Sequence, residues 1–244
     1  MISGVILTKN SQETIRTAIE SLHFCEEIIV IDDFSIDETV KLAKKLGARV
    51  YKRHLKNDFS SQRNFALSKA KYSWVFFIDS DECADEMLRR EIVERVGHEK
   101  MSGYFVYRKN YWHGKELKCA EFGRTKILRL AKRNAGKWKR RVHEYWDIDG
   151  ECGELSSPLN HYLHKSVSGI VDVLNFQSGI HSRENIREKK QFFLVKAICF
   201  PPLKFIRNYV FWGGWRDGMH GFILAIFMSF HSFLAWSESW RLRR

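Results

Sequence analysis

Asp79, Asp81 and Glu82 place three carboxylates within four residues, directly after the unbroken apolar run Trp74-Val75-Phe76-Phe77-Ile78. Negative charges this close repel one another. A hard divalent cation resolves the repulsion, because Mg²⁺ or Mn²⁺ takes one or two carboxylates and completes its shell with oxygens of a bound diphosphate. The plain alternative is a solvated acidic turn ahead of a helix. Other groups with chemical potential follow other apolar runs. Thr8-Lys9-Asn10 follows Ile2–Leu7, and Asp32-Asp33 follows Ile28-Ile29-Val30-Ile31. Arg63 sits in Ser61-Gln62-Arg63-Asn64, and His143-Glu144 closes a basic stretch that begins at Lys137. Each has a structural reading beside the chemical one. Asp32 and Asp37 suit helix caps worth about 1 kcal/mol each, Arg63 on a helix suits a solvated or ion-paired position, and a lone His-Glu pair suits a structural role.

Such groups need a scaffold that brings several segments to one edge. A short, unbroken, β-branched and aromatic run suits a strand covered on both faces, as in a parallel sheet between helix layers. Ile2–Leu7, Glu26–Ile31, Ala48–Tyr51 and Trp74–Ile78 read as four such strands. Between them the spacing predicts helices over about 12–22, capped by Asn10 or Ser11, from Ser35 and Asp37 to about Leu46, where Gly47 stops it, and over 59–70. Alternating strands and helices imply a mainly parallel α/β sheet with right-handed crossovers. Ligands bind such sheets at the carboxyl ends of the strands, where Thr8–Asn10, Asp32 and Asp79–Asp81 all fall. The absence of GxGxxG after the first strand and of GxxxxGK[ST] argues against a dinucleotide fold and a P-loop. After a helix over about 86–96, Tyr104–Arg108 and Thr125–Leu130 alternate and read as antiparallel edge strands.

The 244 residues hold one domain, or one domain with an appendage. Met1–Asn10 enters a strand at once and is read as lacking a signal peptide. Five scattered cysteines without CxxC spacing point to a reducing compartment and away from structural zinc or a disulfide framework. The net charge of +12 is uneven, since residues 1–100 carry 16 Lys+Arg against 17 Asp+Glu and residues 101–244 carry 25 against 12. That asymmetry implies an anionic partner for the second part. Residues 171–196 read as a polar helix. Beyond them lie Phe205–Trp215, the apolar run Phe222–Trp236 and the basic end Arg241-Leu242-Arg243-Arg244. A run of about 15 residues is short of the ~20 that span a bilayer. Its aromatics and cations suit helices lying on an anionic membrane surface. A buried helical hairpin is the structural alternative.

Taken together, "Ile-Val-Ile-Asp-Asp-Phe-Ser-Ile-Asp-Glu-Thr" (29–39), "Ser-Gln-Arg-Asn-Phe-Ala-Leu" (61–67) and "Phe-Phe-Ile-Asp-Ser-Asp-Glu" (76–82) resemble a family 2 glycosyltransferase. The Val142-His143-Glu144 element and Trp215-Arg216-Asp217-Gly218 are similar to the lipopolysaccharide core β-glucosyltransferase-like branch. The resemblance implies a GT-A catalytic domain over 1–165, with a nucleotide-sugar half over 1–100 and an acceptor half over 101–165. A helical membrane-associated tail over 166–244 follows. It implies that Asp32 accepts from the nucleotide base, that Thr8, Lys9 and Asn10 line that base, and that Arg63 faces the uridine or diphosphate. It implies that Asp79 contacts ribose or metal-bound water and, with Asp81, serves the metal, Mg²⁺ or Mn²⁺. Glu144 then stands as catalytic base with His143 beside it. The family often has Gly where Phe34 and Glu38 stand, so the loop after the second strand is stiffer here.

The implied reaction attacks the anomeric carbon of a UDP-sugar with an acceptor hydroxyl. The leaving diphosphate needs cations, and the hydroxyl needs one base on the opposite face. One displacement inverts the anomeric centre. The implied acceptor is a lipid-linked saccharide, such as lipopolysaccharide core, at the cytoplasmic face of a bacterial inner membrane. Rival readings are transfer to a polyprenyl phosphate, a soluble cytosolic transferase with a buried tail, and a non-enzymatic nucleic-acid binder. The last would use Lys132-Arg133, Lys137, Lys139-Arg140-Arg141 and Trp138 as a stacking surface. It leaves the carboxylates and the apolar tail unexplained, and the reading adopted has no nucleic-acid partner.

Overall fold

The computed structural model describes residues 1–97, 100–123, 125–163, 166–188 and 194–242, side chain of Leu194 excepted. The chain forms two compact units, one of Met1–Lys109 with Lys126–Tyr162, the other of Asn110–Thr125 with Leu163–Arg244. The sequence reading ran the catalytic domain unbroken to residue 165; here Asn110–Thr125 groups with the C-terminal helices instead.

In the first unit the expected strands and helices alternate as β1 (Ile2–Thr8), α1 (Ile15–Glu20), β2 (Glu27–Asp32), α2 (Thr39–Lys45), β3 (Arg49–Lys52), α3 (Phe59–Lys69) and β4 (Trp74–Asp79). A short β5 (Glu82–Cys83) and α4 (Glu86–Val96) follow. Asp58 caps α3 by accepting from Ser61 N at 2.8 Å, and Asp85 caps α4 by accepting from Leu88 N at 3.0 Å. Four strands then complete the sheet: β6 (Gly103–Trp112), β8 (Thr125–Lys132), β11 (Cys152–Glu154) and β12 (Leu159–Leu163). The two-residue β7 (Lys115–Glu116) belongs to the second unit, and β9 (Gly136–Lys139) with β10 (Tyr145–Ile148) makes a separate antiparallel hairpin.

The sheet order is β3-β2-β1-β4-β8-β6-β12-β5. Its first four strands run parallel, and β8 joins β4 antiparallel. This mixed, mainly parallel sheet flanked by helices is a GT-A-like fold, as the sequence implied. Continuous apolar strands follow from burial on both faces. Trp74, Phe76 and Ile78 point into one core with Ile6, Ile19 and Leu88, while Val75 and Phe77 point into the other with Val5, Ile31 and Trp138. The parallel register sets Thr8 beside Asp32 and Leu7 beside Asp79, so the polar ends of β1, β2 and β4 lie level at one edge.

The second unit is mainly helical, with α5 (Val167–Arg187), α6 (Leu194–Ile206) and α7 (Met219–Arg241). A π-helical turn (Arg207–Phe211) and a 3₁₀ turn (Gly214–Asp217) join α6 to α7. The polar helix expected over 171–196 ends at Arg187, and its part over 189–193 lies outside the described residues, as do Arg243 and Arg244. Asn110–Thr125 is held by the α6–α7 connection. The buried Asp217 carboxylate accepts from Lys118 N and Cys119 N, and Asn208 Oδ1 accepts from Glu121 N at 3.1 Å. The apolar run that looked short of a bilayer span is part of a 23-residue helix, because Ser237–Arg241 continues the turn pattern beyond Trp236.

Candidate active site

The loops that follow β1 and β2 are laced together. Asp32 is fully buried and accepts from Ser35 N through both carboxylate oxygens, at 3.0 and 3.3 Å. Asp33 accepts from Lys9 Nζ at 2.8 Å and from Leu55 N at 3.0 Å. Asn10, at φ 48°, donates its N–H to Ser35 Oγ and accepts from Ile36 N through Oδ1. Ser11 N donates to Thr39 Oγ1 at 2.7 Å. These bonds replace the expected cap: the residue before α1 is Thr14, without a side-chain cap bond. Ser11 Oγ instead meets Ser80 Oγ at 2.9 Å, joining this loop to the turn after β4. Phe34 adopts φ 52° where the related pattern often has Gly, a conformation costing a side-chain-bearing residue roughly 1–2 kcal/mol. Its ring stacks on His54 at 3.9 Å between centroids. Thr8 Oγ1 is buried with no hydrogen-bond partner among the described residues.

At the end of β4 the crowded carboxylates meet arginines. Arg63 reaches from α3 and donates from Nη2 to Asp79 Oδ1 at 2.8 Å. Arg129 reaches from β8 and donates from Nη2 to Asp79 Oδ2 at 2.7 Å and Glu82 Oε1 at 3.4 Å. Arg108 Nη1 stands 3.5 Å from Glu82 Oε1. Glu82 Oε2 in turn accepts from Asp79 N at 2.8 Å. The repulsion inferred from sequence is therefore relieved at Asp79 and Glu82 by guanidiniums. Burial alone raises the Asp79 pKa, but Arg129 and Arg63 outweigh it and hold the carboxyl well below the usual range. Asp79 is thus a committed anion.

Asp81 is left to a different partner. Its Oδ2 lies 3.5 Å from Nε2 of His161, which β12 delivers from 80 residues downstream. Its side chain is about a third exposed, with a relative accessibility of 31%. One carboxylate and one imidazole facing each other at the sheet edge could hold a divalent cation, and a mixed set of this kind would suit Mn²⁺ better than the oxygen-preferring Mg²⁺.

Glu144 comes from the β9–β10 hairpin. Trp138 and Trp146 face each other across it at 5.2 Å, and Phe77 of β4 packs edge-on against both. Asn64 of α3 bonds Trp138 twice, Nδ2 donating to its carbonyl and Oδ1 accepting from its N–H, both at 2.9 Å. Phe59 N also donates to Arg141 O at 3.0 Å. The hairpin is thereby fixed against α3. Its loop turns through Arg140 and His143 at positive φ, so Glu144 faces Arg63 Nε at 2.9 Å, while His143 is exposed. Arg63 itself is buried, with its guanidinium 4.7 Å from the Trp138 ring centre and Nη1 unpartnered among the described residues. One guanidinium thus spans from Asp79 to Glu144. Trp138 is also buried, so its ring offers no stacking surface to a nucleic-acid base.

Arg129 and His161 were not singled out from sequence. Arg129 carried a usable signal, a charge between Leu128 and Leu130 in an apolar strand, which requires a buried partner. His161 carried none, being a lone histidine in a short strand.

The profile of the family described as "Glycosyl transferase family 2" matches residues 3–142. The chain is 28% identical over 241 residues to the lipopolysaccharide core biosynthesis glycosyltransferase LpsC of Rhizobium meliloti (strain 1021), covering 96% of this chain and 89% of that one. It is 29% identical over 252 residues to an uncharacterized glycosyltransferase of Rickettsia prowazekii (strain Madrid E), covering 96% and 84%. Among solved structures, glucosyl-3-phosphoglycerate synthase from Mycobacterium tuberculosis with phosphoglyceric acid superposes with a TM-score of 0.52 at 16% identity, covering 77% of this chain and 79% of that one. The same enzyme with Mn²⁺, uridine diphosphate and phosphoglyceric acid gives 0.50 at 17%, covering 77% and 78%. At these identities the likeness is one of fold.

Proposed function

We propose, from the premise that this chain belongs to glycosyl transferase family 2, that it moves a hexose, glucose in this reading, from a UDP-sugar to a lipid-linked saccharide with inversion. The observation that carries the reading is the Arg63 bridge, which joins an anionic Asp79 at the donor edge to Glu144 on the hairpin. Donor carboxylates and a candidate base are thereby held by one rigid side chain.

Asp32, Thr8, Lys9 and Asn10 form the wall for the base, where buried Thr8 Oγ1 has a hydrogen bond to give or take. Asp81 and His161 would hold the divalent cation, which would supply positive charge to a leaving diphosphate. Asp79 orients Arg63 and Arg129 through its two carboxylate oxygens. Arg63 engages Glu144 through Oε1, leaving Oε2 to accept the proton of the acceptor hydroxyl. General-base removal of that proton as the oxygen attacks gives inversion in one displacement. His143, exposed beside Glu144, is placed to meet the acceptor. The name of the Rhizobium relative supports a lipopolysaccharide-core acceptor, and the bound groups of the mycobacterial enzyme support UDP with a metal. The setting is the cytoplasmic face of a bacterial inner membrane, where sugar nucleotides meet lipid-linked acceptors.

The test is Glu144→Gln. Donor binding, read by calorimetry with UDP and Mn²⁺, is expected to be unchanged. UDP release with acceptor present is expected to fall by about 10²–10⁴-fold, the range for a lost general base. Turnover comparable to the parent's removes Glu144 from the role. Transfer to a simple lipid phosphate but to no lipid-linked saccharide would move the assignment to polyprenyl-phosphate chemistry.

A further inference from the structure

The second unit is built inside out. The residues of α7 that face inward are Gly221, Leu224, Ala225, Phe227, His231, Ala235 and Ser239, mostly small or polar. Those that face outward are Met219, Phe222, Ile226, Phe230, Phe233 and Trp240, all large and apolar, ahead of the exposed terminal Arg241. The outward stripe continues on α6 and the π-helical turn through Val195, Ile198, Leu203, Ile206 and Val210, at helical spacing. Val195 is 63% exposed and Phe211, at the end of the turn, 79%. On α5 the exposed positions are mainly polar, Asp172, Asn175, Arg183 and Arg187, with Val167 and Phe176 the large apolar ones among them. The large apolar exposure is thus concentrated on α6, the turn and α7, and a stripe this long exceeds what a soluble monomer leaves to water.

Charge identifies what covers it. From 194 to 242 the helices and their connection carry Lys196, Lys204, Arg207, Arg216 and Arg241 against Asp217 and Glu238; Glu238 pairs with Arg241, Glu121 of the same unit pairs with Lys204 and Arg207, and Asp217 is turned inward onto backbone N–H groups. Several of these cations lie against aromatic rings. Arg207 sits 4.2 Å from the Trp212 ring centre, Arg216 5.4 Å from Trp215, and Lys196 4.9 Å from Trp236. Tryptophan beside Arg or Lys, bordering an apolar stripe, is the side-chain order of a headgroup boundary. A second copy of this chain, at net +12, would bring like charge to that border.

We propose that this face of α6, the π-helical turn and α7 lies in the interfacial layer of an anionic phospholipid bilayer, helices parallel to the membrane plane, with the bordering cations at headgroup depth. At 23 residues α7 is about 34 Å long and matches the ~30 Å of a hydrocarbon core. A spanning path is disfavoured because Lys196 and Lys204 lie along α6 and the inward sides of both helices are already covered by the unit. The inference gives a surface to the lipid-linked acceptor proposed above, but its test involves neither sugar nor nucleotide, so either can fail alone.

The full chain is floated with vesicles of phosphatidylcholine containing phosphatidylglycerol. Three variants of one molecule are combined: Ile198→Ser, Ile226→Ser and Phe230→Ser. All three side chains are exposed, so the circular dichroism and Tm should match the parent. Partitioning is expected to weaken about 10²-fold, at roughly fivefold per half-exposed large apolar side chain. The control Phe176→Ser, exposed on the outward side of α5, should change it by less than about twofold. Tryptophan fluorescence should be quenched more by acyl chains brominated near the headgroup than near the chain end. Unchanged partitioning of the triple variant overturns the proposal. So does a parent that ignores vesicles and sediments as a dimer the triple variant cannot form, which would make a second copy the occupant. Stronger quenching from the chain ends would refute the in-plane placement.

Discussion

Replacing Arg129 with Met tests whether the arginines at the sheet edge are what makes the acidic turn tolerable. The substitution keeps the unbranched stem as far as the level of Nε and removes the charged guanidinium end. Asp79 loses the partner at 2.7 Å and Glu82 the one at 3.4 Å. Breaking a buried ion pair from one side generally costs roughly 3–5 kcal/mol. Here Asp79 keeps Arg63, Glu82 keeps Arg108, and the Asp79 side chain is 32% exposed, so solvent screening lowers the figure. The expected loss is about 2–3 kcal/mol, read by urea titration, or about 5–10 °C in Tm for a chain of this size. The pH dependence gives a second reading. Burial raises the Asp79 pKa, and Arg129 and Arg63 more than reverse this. A carboxyl whose folded pKa lies below its unfolded value contributes stability that is complete above about pH 5 and is lost as the pH falls through about 4 and below. The gap between parent and Arg129→Met should therefore be full at pH 7 and close in acid. A variant within about 0.5 kcal/mol of the parent at pH 7, or a gap that widens as pH falls, refutes this account of the site.

Asp81→Ala and His161→Gln should each abolish or sharply reduce Mn²⁺-dependent stabilisation by UDP in a thermal-shift assay; full metal-dependent activity in Asp81→Ala would remove it from the metal site. Gly136→Ala should injure the reaction from a distance, because a Cβ there would lie 1.9 Å from Asp147 O across the hairpin. Forcing β9 and β10 apart costs about 1–3 kcal/mol and misplaces Glu144, so turnover should fall more than donor affinity; a proportionate loss of both would mean the hairpin serves donor binding instead.

The strands were legible because burial between two helix layers demands continuous apolar runs, and the runs ending at Leu7, Ile31 and Ile78 advertise themselves. Their carboxyl ends followed from the same logic, so Thr8, Asp32 and Asp79 could be placed at one edge before any coordinates. The aromatic, basic character of the tail was equally plain. Partnership was not. Asp79 meets Arg129 from 50 residues away and Asp81 meets His161 from 80, and no local spacing encodes contacts made by strands that pair late in the chain. Nor were the partners of Arg63: the resemblance set it toward the donor, and the packing of α3 against the β9–β10 hairpin adds that it bonds both Asp79 and Glu144. In the tail, composition could not separate a buried hairpin from a membrane face. Phe230 and His231 are adjacent, and polarity alone would send the phenylalanine inside and the histidine out; the angle each takes around α7, set by the packing of α5, α6 and α7, does the reverse.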